Sequence, residues 1–225
     1  MIHAPGAPAG STARLLDALR ARGVETTDAE SPRPDEDHPT LLLGTPVDWM
    51  ALGVRMAPWR VARGARIVVL SRIGAHPDAV APGLQDLWRL EEYARVSGIP
   101  TLTLRFAPLV AAESPFWRKL ASAPKLGREA NTVVMPVLEE DAIQVFARVL
   151  GETRPAEGWY EITGPEARSL GEWSALAARG GARADAGEWE PPLEEMLEHR
   201  LAETEVWQER FGLAAHSVTS WAERA

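Results

Sequence analysis

The chain contains no cysteine, which excludes disulfides, thiolate catalysis, zinc–cysteine sites and iron–sulfur clusters. Tyrosine and phenylalanine are scarce, at two and four residues, and positive charge is in deficit, with 24 Lys and Arg against 32 Asp and Glu. The resulting net charge of -8 argues against a nucleic-acid partner, which calls for a basic patch or stripe. No apolar run is long enough for a membrane helix, and Met1-Ile2-His3-Ala4 leads into Pro5 and Gly6 without the apolar stretch of a secretion signal. A soluble, cytoplasmic protein with no membrane partner is expected. The five histidines are scattered, without the spacing of a metal site, so no metal is expected either.

What is present is an ordinary globular composition, 45% hydrophobic and 25% charged over 225 residues, with nine tryptophans as its oddity. The organising stretch runs from Ala65 to Pro108. Two short apolar runs, Ile67–Leu70 and Thr101–Leu104, read as strands buried on both faces. Between them Leu84, Leu87, Leu90 and Tyr93 form the apolar side of a helix, with Trp88, Glu91, Glu92 and Arg95 on the other side and a Ser97-Gly98 stop. Strand, helix and strand predict a right-handed crossover in a parallel sheet.

The flanks extend this pattern. Ile2–Ala4 reads as a first strand, and Gly6–Gly23 as a glycine-bearing turn entering a helix. Val24–Pro39 is acidic and proline-broken, with room for one short strand at Val24–Ala29 but not for a crossover helix and a further strand. The sheet is therefore expected to lack its outer strand on this side. Leu41–Leu43 is the next strand and Val47–Arg63 a helix interrupted or restarted at Pro58. Ala111–Ala130 reads as loop-rich, Thr132–Met135 and Trp159–Thr163 as strands, and Glu139–Leu150 as a helix whose acids suit the positive end of its dipole. Ser169 and Glu172 have capping-box spacing, Pro191–Phe211 reads as one amphipathic helix, and Ser217 caps a terminal turn.

Five segments, GAPAGSTARLLDALRARG, VVLSRIGAHPD, EEYARVSGIPTLTLRFAP, MPVLEEDAIQVFARVL and WYEITGPEARSLGEW, together resemble the NmrA-like group of atypical short-chain dehydrogenase/reductases. The resemblance implies an α/β, Rossmann-like doubly wound parallel sheet over residues 1–155, here shortened on the side of Val24–Pro39, with a small, mainly helical cap region over residues 156–225. It also implies a site for NADP or NAD at Gly6, Ala9, Gly10, Thr12, Thr45 and Ser71. Three glycines of the group's turn read here Gly6, Ala9 and Thr12, and the added side chains occupy space used by the pyrophosphate and by helix–strand packing. The catalytic Tyr-x-x-x-Lys of redox-active relatives falls at Gly83 and Leu87. Dinucleotide binding is accordingly expected to be weak or absent. The expected role is small-molecule-binding, regulatory or non-redox. The alternative is an NAD(P)H-dependent reductase or a non-redox isomerase or cyclase acting on a small apolar metabolite.

Ligands of open α/β sheets bind outside the carboxyl ends of the strands. Ser71, Arg72 and His76 follow one such end and are the catalytic candidates. Arg72, Arg105, Ala107 and Trp117 are the ligand-binding candidates, two guanidiniums for an anionic group and an indole for an apolar one. Each arginine has an equal alternative as the partner of an acid such as Glu91 or Asp78. As a member of a Pro-containing turn, His76 reads more simply as a structural residue, and Glu139, Glu140 and Asp141 read as helix-start chemistry.

Overall fold

The structure, a computed structural model, describes residues 1–4, 10–28, 32, 39–44, 56–122, 126–152, 157–180, 189–198 and 200–224, and omits the side chains of residues 10–12. Its centre is a parallel six-stranded sheet. The strands are β1 (Ile2–His3), β2 (Thr26–Thr27), β3 (Thr40–Leu43), β4 (Arg66–Arg72), β5 (Thr101–Phe106) and β9 (Gly158–Ile162), in the spatial order β2-β1-β3-β4-β5-β9. The register pairs Ile2 with Thr26 on one side and with Thr40 on the other, and Leu41 with Ile67. Among the described residues the sheet ends at β2. β3 and the first six residues of β4 are buried throughout, which is why Leu41–Leu43 and Ile67–Leu70 read as apolar runs.

Contacts divide the chain into two units, Met1–Arg105 with Phe146–Tyr160, and Phe106–Val145 with Glu161–Ala225. The chain passes from one unit to the other after Arg105, after Val145 and after Tyr160.

In the first unit, α1 (Gly10–Ala21) turns out through Gly23, whose φ of 81° favours glycine. Residues 56–61 form α2, which continues through Pro58 and ends two residues before Arg63; residues 47–55 of the expected Val47–Arg63 helix lie outside the described residues. Helix α3 (Pro82–Arg95) starts on a proline, suited to a first turn whose N–H groups have no intrahelical partner, and its exit reaches Gly98 at φ 80°. Its buried face comprises Leu84, Leu87, Leu90, Glu91 and Ala94. Glu91 therefore stands on the buried side rather than the solvent side to which its charge assigned it.

The same unit contains a buried arginine at the foot of β4. Arg66 donates to Thr40 Oγ1 at 2.7 Å and to the main-chain oxygens of Val149, Leu150 and Glu152 at 3.1, 2.8 and 3.1 Å. These are last-turn oxygens of α5 (Glu139–Gly151) and the oxygen just beyond it, so the guanidinium supplies the donors that a helix end lacks. Burial holds the Arg66 pKa below its ordinary value, and Glu152 opposes that shift.

In the second unit, short ribbons replace a large sheet. β6 (Leu109–Val110) pairs in parallel with β8 (Val137–Leu138), and β7 (Val133–Val134) pairs antiparallel with β10 (Arg168–Ser169). Helix α4 (Pro115–Ser122) occupies much of the segment expected to be loop-rich, burying Phe116, Trp117 and Leu120 on one side. Helix α6 (Leu170–Arg179) has the expected capping box: Ser169 Oγ accepts the Glu172 N–H at 3.2 Å, and Glu172 accepts the Ser169 N–H at 2.9 Å. Gly164 is required by space, because a Cβ there would lie 2.1 Å from the Pro136 oxygen.

The segment from Pro191 to Phe211 is not one helix. A 3-10 turn at Leu193–Met196 is followed by extended chain, where Arg200 donates its N–H to Val133 O at 3.0 Å, and only then by α7 (Thr204–Phe211). Leu197, Leu201 and Val206, expected on the apolar stripe, are exposed. Bonding to the β7 edge outweighs helical periodicity here. The chain closes with α8 (Val218–Ala222), capped by Ser217, whose Oγ accepts the Ser220 N–H at 2.9 Å.

Candidate functional site

The carboxyl ends of β4 and β5 carry a connected polar group inside the first unit. Arg105 Nε lies 3.0 Å from Glu91 Oε1 and its Nη2 lies 2.6 Å from Oε2, a bidentate pair. Ser71 Oγ donates to the same Oε1 at 2.5 Å. The other face of the arginine meets the Trp159 indole, with 4.9 Å from Cζ to the ring centroid. Ser71 and Glu91 are 3% and 6% exposed, so the serine hydroxyl and the carboxylate satisfy one another away from water.

Sequence position explains this grouping. Ser71 and Arg105 come from neighbouring strands, and Glu91 projects from the crossover helix at i+4 from Leu87, on the face that lies against the sheet. That spacing was the signal for Glu91. Of the two alternatives for Arg105, the structure contains the ion pair with Glu91.

The remaining candidates are dispersed. Arg72, half-buried, ends β4. His76 stands on an exposed turn, where its Nδ1 accepts the Asp78 N–H at 3.2 Å. Ala107 is 4% exposed, and its N–H donates to Ile162 O at 3.0 Å. Trp117 is 2% exposed within the apolar cluster of the second unit, beside Phe116, Leu120 and Trp173, and so is a core residue as well as a ligand candidate. Gly10 and Thr12 fall in the first turn of α1, whereas Gly6, Ala9 and Thr45 lie outside the described residues.

Gly83 and Leu87, the positions that the resemblance sets against a catalytic Tyr and Lys, both lie on α3. Leu87 is 1% exposed and packs with Ala75, Ala79, Ala81 and Leu84, while Gly83 has no side chain to offer. Neither can move a proton or hold a ribose. Among the described residues no group of three or more His, Cys, Asp or Glu could hold a metal ion, and no helix is long and apolar enough to cross a membrane.

A second polar pair, which sequence spacing does not bring together, lies in the second unit. Asp141, 2% exposed in the first turn of α5, accepts the His216 N–H at 2.8 Å and meets His216 Nδ1 at 2.6 Å. The helix-start role assigned to this acid from its position is thus joined by a tertiary one.

No protein-family model and no curated protein sequence matches this chain. Solved structures do. UDP-N-acetylglucosamine 4-epimerase from Bacillus cereus matches with a TM-score of 0.67 at 14% identity, over 98% of this chain and 93% of that one. MoeE5 in complex with UDP-glucuronic acid and NAD matches with 0.67 at 15%, over 99% of each. The Bordetella bronchiseptica enzyme WbmF in complex with NADH matches with 0.67 at 11%, over 99% of this chain and 89% of that one. At such identities the likeness establishes the architecture alone, and that architecture is the Rossmann-like α/β fold.

Proposed function

We propose that this chain is an NmrA-like, atypical short-chain dehydrogenase/reductase homologue that binds NAD(P) weakly or not at all and serves a small-molecule-binding, regulatory or non-redox role. The observation that carries this reading is Leu87. It stands where redox-active relatives need a lysine, and it is a core residue. The commitment of Ser71 and Arg105 to Glu91 supports it further, since the hydroxyl proton and the guanidinium fork already have a partner. Ala9 and Thr12 in place of two turn glycines point the same way.

A second reading, an NAD(P)H-dependent reductase or a non-redox isomerase or cyclase, is favoured by fold neighbours whose structures are complexes with NAD or NADH. Titration of NADH and NADPH, followed by intrinsic tryptophan fluorescence, separates the two. The first reading expects no saturation at low micromolar cofactor; a dissociation constant there or below establishes the second.

A further inference from the structure

The chain beyond α7 is held to the second unit by few anchors. Gly212, at φ 65°, ends α7, and the Leu213 N–H still bonds to Gln208 O at 3.1 Å. From there to Arg224, among the described residues, the main chain meets the rest of the unit through two side-chain carboxylates. The His216 N–H donates to Asp141 Oδ2 at 2.8 Å, and the Thr219 N–H to Glu166 Oε2 at 3.0 Å. Its other main-chain bonds are internal, such as those from Trp221 to Ser217 and from Glu223 to Thr219.

Apolar anchoring is equally sparse. Val218 and Ala222 are the buried residues of α8, and Trp221, half-buried, meets Trp117 edge-on at 5.6 Å between centroids and 70° between planes. Thr219 Oγ1 is buried without a hydrogen-bond partner, a cost that the docked state carries. By contrast α6 buries Leu170, Trp173, Leu176 and Ala177 in the same cluster. Segments with few buried contacts open locally, at lower free energy than the whole unit.

We propose that residues 213–224 form a strap that opens as a unit about Gly212, and that Trp221 occupies, on Trp117, the place of a flat apolar ligand that binds when the strap is open. The inference goes beyond the proposed function and does not depend on whether a dinucleotide binds. The ligand class follows from what the strap leaves behind: the Trp117 indole, with Leu176 and Ala177 of the same apolar cluster. The closed strap is then an autoinhibitory contact, and Asp141 and Glu166 set how often it is released.

The lack of native cysteine makes the test direct. A thiol introduced by Ala222→Cys, on the strap, is compared with one introduced by Val137→Cys, which is equally buried on β8. Iodoacetamide is expected to alkylate the first at least about tenfold faster. Asp141→Asn or Glu166→Gln should speed it about tenfold again, the equivalent of one charged hydrogen bond, and leave the second unchanged. Equal rates at the two positions would overturn the strap. Hydrogen exchange on the unaltered chain tests the same opening without a cysteine: the amides of His216, Thr219 and Glu223 should exchange together and ahead of those in α6. Nile red affinity is expected to rise several-fold in Asp141→Asn and in Trp221→Ala. Unchanged affinity in chains whose strap amides exchange faster would overturn the ligand assignment.

Discussion

Arg105 grips the Glu91 carboxylate through two nitrogens of its guanidinium fork, and the same carboxylate accepts a hydrogen bond from the Ser71 hydroxyl. One acid thus ties α3 to β4 and β5. Removing one member of a buried pair leaves the other charged and unpaired, at a cost of about 3–5 kcal/mol. Arg105→Ala is expected to lower the melting temperature strongly. Arg105→Met combined with Glu91→Leu should restore much of the loss, because both charges are gone. A thermal shift on the three chains checks this, and an unchanged melting temperature in Arg105→Ala would return the arginine to the role of ligand contact.

Arg66 provides a second test of buried charge. Arg66→Met removes donors from Thr40, Val149, Leu150 and Glu152, and a loss of at least about 2 kcal/mol is expected from charged hydrogen bonds. Arg66→Lys should recover little, since an ammonium on a flexible stem cannot span these four oxygens as a planar fork does. Urea unfolding monitored by circular dichroism measures both.

Leu87 is expected to behave as packing. Leu87→Met conserves volume and should cost under ~1.5 kcal/mol while leaving any ligand response of the chain intact. Denaturant midpoints, together with ligand titrations of a well-folded variant, check it. Loss of the response would make position 87 functional after all.

The capping box yields a pH dependence. The Ser169 N–H, and after it the Ser169 hydroxyl, hold the Glu172 pKa below its ordinary value. A depressed folded pKa means stability that is present above the unfolded value and lost as pH falls through the folded one. The melting-temperature gap between the native chain and Glu172→Gln should therefore be widest near neutrality and close in acid. Ser169→Ala, which removes the cap itself, should cost about 1 kcal/mol at neutral pH.

The sequence was informative where local pattern and tertiary role coincide. The βαβ unit was legible because β4 and β5 each hold a short β-branched or leucine-rich run and α3 has leucines at helical spacing, and the box at Ser169 because its chemistry is complete within four residues. Glu91 was misplaced because its charge was weighted above its spacing. The pairing of Asp141 with His216 spans 75 positions and leaves no local trace. The Pro191–Phe211 stretch misled because Leu193, Leu197, Leu201 and Val206 have a helical rhythm, whereas the main chain around Arg200 bonds to β7 instead.

The Arg66 clamp also bears on the order of events during synthesis. The guanidinium leaves the ribosome 83 residues before Val149, the first of its carbonyl partners. Until Glu152 has followed, the charge at the foot of β4 keeps its hydration, and the strand that carries it cannot close into a dry core. A chain stopped short of that point would hold most of the sheet's sequence and still lack the end of a helix needed to receive its arginine. Nascent first-unit fragments should therefore stay sensitive to protease until α5 is complete.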